Sequence, residues 1–302
     1  MKIAILSDIH ANFPALQEVQ KDMCAYNVQQ CWMLGDTVGY GPHPVESLVW
    51  LKNEVNLQNW VIGNHDAMLA NLFSEDEWNL VNASAKIAIE LNHTILRKHG
   101  EEVNHFWQTM FVKEKINPQW FDINNITYTI NHGVQTGQQF MRYLYPWQQE
   151  FFLPAEFEKL FSQKNSHPVI AFYGHTHIPS LVEVRQDSMV EGWQDSIKPV
   201  KILPGQSYQL KSPVTIVNPG SVGQPRDLDR RASYLILDTE DCSVTFRRVA
   251  YDWRKTAQDM QDLDFPDALV RRLMEPKLPT DVPNEWRMHF ERAKEMICEP
   301  AI

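Results

Sequence analysis

Short apolar runs that close on polar residues recur along the chain. Ile3, Ala4, Ile5 and Leu6 form a continuous run, the pattern of a strand buried on both faces, and it stops at Ser7-Asp8-Ile9-His10. A helix is predicted next: Asn12 supplies its cap, Pro14 sits in its first turn, and Leu16, Val19 and Met23 form its core-facing stripe. Cys31 to Leu34 reads as a second buried strand, ending at Gly35-Asp36. A breaker-rich turn, Thr37 to Pro42, leads to a helix carrying Val45, Leu48, Val49 and Leu51. Trp60 to Ile62 reads as a third strand, ending at Gly63-Asn64-His65-Asp66.

From Ala67 to about Asn125 the pattern becomes helical, with Ser84 expected to cap a helix in which Ile87, Ala88, Leu91 and Ile95 recur. This stretch, with His93, His99 and His105, is expected to be an insertion covering the sheet edge. Ile126 to Ile130 alternates as a strand does and ends at Asn131-His132-Gly133. A second insertion, about 137–167, is aromatic (Phe140, Tyr143, Tyr145, Trp147, Phe151, Phe152) and reads either as core packing or as the wall of a cleft. Val169 to Tyr173 is another buried run, ending at Gly174-His175-Thr176-His177.

Beyond Pro179 the chain turns all-β. Leu181–Val184 and Val200–Leu203 are expected to pair, Val214–Val217 leads into Asn218-Pro-Gly-Ser221 and on to Arg226, and Ser233–Leu237 with Val244–Val249 closes a hairpin. Residues 1–251 are thus expected to form one domain, with 252–302 a polar helical extension broken by prolines.

Composition narrows the class. The chain has 302 residues, 43% of them hydrophobic, enough for a full core. A net charge of -10 gives no basic field for nucleic acid. No apolar run reaches membrane-spanning length, and the N-terminus enters a strand without a leader pattern. Cys24, Cys31, Cys242 and Cys298 lack paired spacing and are expected to be reduced core thiols. A cytoplasmic enzyme fits all of this. No oligomeric state follows.

Candidate chemistry gathers at the strand ends: Asp8, His10, Asp36, Asn64, His132, His175 and His177, with His65 beside them. Taken alone, Asp8-x-His10 reads as a helix cap beside a solvated histidine. The recurrence of such residues after apolar runs changes that reading, because open α/β sheets bind ligands beyond their strands' carboxyl ends. In an extended chain residues i and i+2 share a side, so Asp8 with His10, and His175 with His177, are each expected to aim at one point. An oxygen and nitrogen set without thiolates suits Mn, Fe, Zn, Ni or Co. Seven donors exceed one ion's needs and match two divalent metal ions sharing a carboxylate.

In this order, Asp8-x-His10, Gly35-Asp36, Gly63-Asn64-His65-Asp66, His132-Gly133 and Gly174-His175-x-His177 resemble the calcineurin-like metallophosphoesterases, with Asn218 to Arg226 similar to the end of the catalytic core in small bacterial phosphodiesterase-like members. The resemblance implies a four-layer α/β/β/α sandwich of two mixed sheets. It implies that Asp8, His10 and His177 hold one metal, that Asn64, His132 and His175 hold the other, and that Asp36 bridges them. A hydroxide bridging the ions is the implied nucleophile for in-line attack on a small phosphodiester or phosphomonoester, and His65 the implied general acid. Asp66 either orients His65 or caps the next helix.

One departure bears on substrate. Protein phosphatases and dinucleoside-tetraphosphatases of this family follow Gly-Asp with a turn whose arginine grips phosphate, whereas this chain has Val38-Gly39-Tyr40-Gly41. That argues against a protein phosphatase and leaves Asn12, Tyr40, His43 and Arg226 as candidate substrate contacts. A nuclease and a non-catalytic scaffold of the same fold are the competing readings. The acidic charge argues against the first, and the intact ligand set against the second.

Overall fold

The structure is a computed structural model that describes residues 1–53, 55–136, 139–148, 160, 167–184 and 197–296. Two six-stranded mixed sheets face each other. The first runs in the order β11 (Ser207–Gln209), β14 (Ser243–Val249), β13 (Ala232–Asp238), β1 (Lys2–Leu6), β2 (Gln30–Met33) and β3 (Leu57–Trp60). The second runs β10 (Ile197–Val200), β9 (Ser180–Val184), β12 (Val214–Asn218), β8 (Val169–Tyr173), β5 (Ile126–Asn131) and β4 (Gln119–Ile123). Within them β1, β2 and β3 are parallel, as are β5, β8 and β12. Parallel strands end together, so each sheet delivers its strand-end turns to one edge.

Alternation assigns the faces. Ile3 and Ile5 of β1, Trp32 of β2, Tyr128 and Ile130 of β5, and Ile170 and Phe172 of β8 fill the space between the sheets. Ala4, Leu6, Cys31 and Met33 point the other way, onto α1 (Phe13–Ala25) and α2 (Pro44–Asn53), and meet Leu16, Val19, Leu48 and Leu51. Each large side chain buried this way contributes about 1.5–3 kcal/mol. The outer face of the second sheet (Val169, Ala171, Val182, Val214) meets Val134, Leu144 and Leu160.

Several elements depart from the sequence reading. The third strand lies at Leu57–Trp60 rather than Trp60–Ile62, offset by an irregularity between Cys31 and Trp32. The segment 67–125 is helical as expected through α3 (Asn64–Leu69), α4 (Glu75–Leu80), α5 (Ala83–His99) and α6 (Glu101–Met110), but it ends in β4, an edge strand with half-exposed side chains and no apolar run to announce it. Asn82, not Ser84, caps α5 by accepting from the Ala85 N–H at 2.9 Å, and Ile87 is exposed while Ala85, Ala88, Ile89, Asn92 and Leu96 are buried. β9 pairs with β10 at Ile197–Val200 rather than with 200–203. At the start of the aromatic insertion β7 (Gln139–Arg142) pairs with β6 (Val134–Thr136); the expectations for the Phe140 side chain and for Phe151, Phe152 and Cys298 lie outside the described residues. Cys31 is buried, but Cys24 is exposed on α1, so it is not a core thiol.

The C-terminal segment folds back as α7 (Trp253–Asp262), α8 (Asp267–Met274) and α9 (Asn284–Lys294). Ala257, Met260, Leu269, Val270 and Leu273 pack on Tyr40, Ala85 and Ala88. Trp286 and Phe290 of α9 pack with Ile178 and Trp147. Among the described residues no helix is long and apolar enough to cross a membrane.

Candidate metal centre

The turns after β1, β2, β5 and β8, with the start of α3, bring the strand-end residues to one place. Among the described residues three groups could hold a metal ion, each with ligand atoms within 4.8 Å of one another: Asp8, His10 and His177; Asp36, His132 and His175; and His10, Asp36 and His65. His177 and His175 therefore belong to different groups. The two do not aim at one point, and an extended i, i+2 relation is not what orients them. Asp8, His10, Asp36, His175 and His177 all adopt positive φ, between 49° and 63°, the left-handed region that non-glycine residues seldom occupy. Strain of this kind concentrates at functional sites.

Backbone carbonyls fix the imidazoles. His10 Nδ1 donates to Val38 O at 3.1 Å, His132 Nδ1 to Leu34 O at 2.6 Å, and His177 Nδ1 to Gln224 O at 2.6 Å. A carbonyl only accepts, so each Nδ1 carries a proton, and in the neutral ring each Nε2 presents a lone pair. Those lone pairs converge. His10 Nε2 lies 3.1 Å from His177 Nε2, and His177 Nε2 lies 3.1 Å from Asp8 Oδ1. His132 Nε2 is 3.2 Å from Asp36 Oδ2 and 3.3 Å from Asn64 Oδ1. Asp8 Oδ1 is buried and accepts no hydrogen bond, whereas Oδ2 accepts from Ser7 Oγ at 2.5 Å and from the His175 N–H at 3.1 Å. Facing lone pairs with no proton between them repel, and a cation removes the repulsion; the donor set fits divalent metal.

Burial and charge pull against each other here. Burial alone would raise the Asp8 and Asp36 carboxyls, but nearby imidazoles, His177 foremost for Asp8 and His132 for Asp36, hold both below the usual carboxylate range. Burial pushes His10, His175 and His177 down, and His65 to about 4. His132 rises to about 9 against its burial, because Asp36 stabilises its cation.

Near the ligands, His65 donates its backbone N–H to Asp36 Oδ1 at 2.8 Å, and its ring lies 4.8 Å from His10 and 4.2 Å from Tyr40, centroid to centroid. Gly39 (φ +82°) lies against that ring, where a Cβ would overlap Nδ1. Asp66 accepts from the Thr37, Val38 and Gly63 N–H groups, at 2.9, 3.2 and 3.2 Å, closing the start of α3, while His65 Nδ1 has no hydrogen-bond partner among the described residues. Burial, with Asp36 adding to it, pushes the Asp66 carboxyl up to about 7.

The candidate substrate contacts divide. Asn12 is buried with its polar atoms engaged inside the chain, donating to Gly223 O (2.8 Å) and Tyr251 Oη (3.1 Å) and accepting from Thr256 Oγ1 (2.9 Å). His43 pairs with Asp259 at 2.9 Å, in a groove between α2, α5 and α7. Tyr40 and Arg226 face a cavity of about 520 Å³ beside the centre. His93 is half-buried, and His99 and His105 are exposed on the helical insertion. Sequence reasoning did not find the backbone carbonyls of Leu34, Val38 and Gln224, which carry no side-chain signal, or the stack of Tyr143 on His175, 4.4 Å between centroids and 12° from parallel.

Two mixed sheets whose shared edge turns imidazole and carboxylate donors inward define the class of metal-binding α/β sandwiches. The chain belongs to the calcineurin-like phosphoesterase superfamily, whose domain it matches over residues 1–242. It is 28% identical over 271 residues to the uncharacterized protein MJ0912 of Methanocaldococcus jannaschii, covering 90% of this chain and 96% of that protein. It is 31% identical over 129 residues to the symmetrical bis(5'-nucleosyl)-tetraphosphatase of Haemophilus ducreyi, covering 40% of this chain and 47% of that enzyme. A metallophosphoesterase crystal structure from Sphaerobacter thermophilus shares 29% identity and a TM-score of 0.65, covering 91% of this chain and all of that one.

Proposed function

We propose that the chain is a dinuclear-metal-dependent phosphoesterase acting on a small phosphodiester. Asp8, His10 and His177 would hold one ion, Asn64, His132 and His175 the other, with Asp36 between them. The observation that carries this is the approach of His10 Nε2 and His177 Nε2 to 3.1 Å, with both Nδ1 protons committed to carbonyls. When bound, divalent ions supply Lewis acidity and bring the pKa of coordinated water towards about 7.

The chain's own residues do the rest. His65 is positioned by Asp36 and by the Tyr40 ring to give a proton to the leaving oxygen. Burial disfavours its charged form, and an arriving phosphate's negative charge acts in the opposite direction, so protonation and substrate binding support each other. Arg226 lies half-buried beside His177, its backbone N–H donating to His177 O at 3.2 Å, and offers the guanidinium that the Gly-Asp turn lacks. Residues 1–251 carry the chemistry, and the extension that begins at 252 closes one side of the site with α8.

The test compares manganese-dependent hydrolysis of bis-p-nitrophenyl phosphate with p-nitrophenyl phosphate for wild type and His65→Ala, alongside metal content by mass spectrometry. The expected outcome is two ions per chain, faster diester cleavage by wild type, and loss of turnover with retained metal in His65→Ala. Wild-type protein that holds two ions and cleaves neither ester would sink the reading. A monoester preference would replace diester with phosphomonoester.

A further inference from the structure

We propose that Arg271, Arg272 and Lys277, together with Arg226, form a wall that binds phosphate groups beyond the reacting one, so that the site selects esters bearing two or more phosphates. This deepens the phosphoesterase reading and rests on it for the location of the reacting phosphate. The cavity of about 520 Å³ has these four cations in its lining and, among the described residues, Glu275 as its one acidic residue. Small-molecule sites span about 300–1,000 Å³, so it offers far more room than one phosphate fills.

The charge is not neutralised from within. Arg226 donates to two uncharged partners, Tyr143 Oη (3.2 Å) and Gln224 Oε1 (3.3 Å), and its Nε is buried with no acceptor. Among the described residues Arg271, Arg272 and Lys277 form no ion pair. Yet the chain holds 38 acidic residues against 28 basic ones. Four cations around one void, in an acidic protein, are the arrangement that attracts a polyanion.

The fold ties the wall to the centre. Leu269, Val270 and Leu273 anchor α8 in the core, and Arg271 and Arg272 line the void beside it. The Arg272 guanidinium lies 5.8 Å from the Tyr40 ring centre, and that ring lies 4.2 Å from His65. Tyr143, also in the lining, stacks on His175. Guanidinium groups match phosphate oxygens in pairs. Arg271, Arg272 and Lys277 lie past residue 242, where the match to the superfamily domain ends, so this selectivity belongs to the extension rather than to the shared domain.

Calorimetry on manganese-loaded, full-length protein tests this with two non-hydrolysable probes, methylphosphonate and methylenediphosphonate. Wild type is expected to favour the diphosphonate, and Arg271→Gln/Arg272→Gln to reduce that preference about tenfold. A control, Lys21→Gln/Lys211→Gln, removes equal charge from distant exposed positions and is expected to keep the wild-type ratio. A ratio within twofold of wild type in the arginine variant, or an equal fall in the control, overturns the proposal. Should the arginine variant fail to fold, Lys277→Gln decides, with about a threefold fall expected and an unchanged ratio fatal. Because binding rather than turnover is read, the wall stands or falls on its own even in a chain that cleaves neither nitrophenyl ester.

Discussion

Tyr143 lies flat against the imidazole of His175, centroids 4.4 Å apart and planes 12° from parallel. Tyr145 stacks on Tyr143 in turn, and Trp147 on Tyr145, at 5.7 and 4.9 Å. The stack restrains a ligand that no carbonyl contact is seen to fix. Tyr143→Ala is expected to weaken one of the two proposed metal sites about tenfold, since groups that orient a ligand carry effects of that order, and to leave the other within twofold. Manganese titration followed by electron paramagnetic resonance would show one affinity moving. Equal shifts in both would contradict the assignment of His175 to a separate site.

Asp66 serves the backbone. Replacing it with alanine strands three buried N–H donors, each worth about 1–3 kcal/mol when left unsatisfied. We expect Asp66→Ala to lose about 3–5 kcal/mol of stability, part of the loss being absorbed by relaxation. Urea denaturation measures it; a loss under 1 kcal/mol would mean that the Thr37, Val38 and Gly63 amides find other acceptors.

Removing metal should destabilise the fold, because it leaves the facing imidazole lone pairs uncompensated. Ligand bound only by the native state adds stability of about 4 kcal/mol at a thousand times its dissociation constant. Thermal melts with excess EDTA are expected to fall several degrees below melts with manganese, and His177→Ala to shrink the gap. An identical melting point in both conditions would count against metal binding by the native chain.

His289 on α9 gives a pH dependence away from the metal centre. Burial, with Lys201 and Arg292 adding to it, lowers its pKa, so the folded state favours the neutral ring. The unfolded chain takes up a proton near pH 6.5 while the folded chain resists until lower pH. The stability His289 contributes is therefore present above pH 6.5 and lost as pH falls below it. Comparing denaturation midpoints at pH 8 and pH 5, the drop in wild type should exceed that in His289→Gln. Equal drops would remove His289 from the account.

Legibility followed burial. β1 and β8 are enclosed on both faces, so continuous apolar runs announced them. β4 sits at an edge with half-exposed side chains and carried no such signal. Trp60 to Ile62 misled because its apolar run continues past the end of β3, Val61 donating its N–H to Met33 O at 3.0 Å beyond the ladder. The ligand residues were visible because strand ends concentrate them, but extended pairing is not what orients them: Asp8, His10, His175 and His177 all have left-handed backbone, and His175 and His177 fall in separate groups. Arg271 and Arg272 were illegible, because a polar helical tail does not reveal which surface it folds back against.

The two sheets contribute opposite halves of the donor set: Asp8, His10 and Asp36 come from the first, His132, His175 and His177 from the second. Between the sheets stand Trp32, Tyr128 and Phe172, fully buried and meeting edge to face. The girth of those rings sets the gap that the ligands must span. The approach of the two donor sets is thereby gauged by apolar side chains that take no part in them, and a slimmer residue at Trp32 would shift that approach from its foundations.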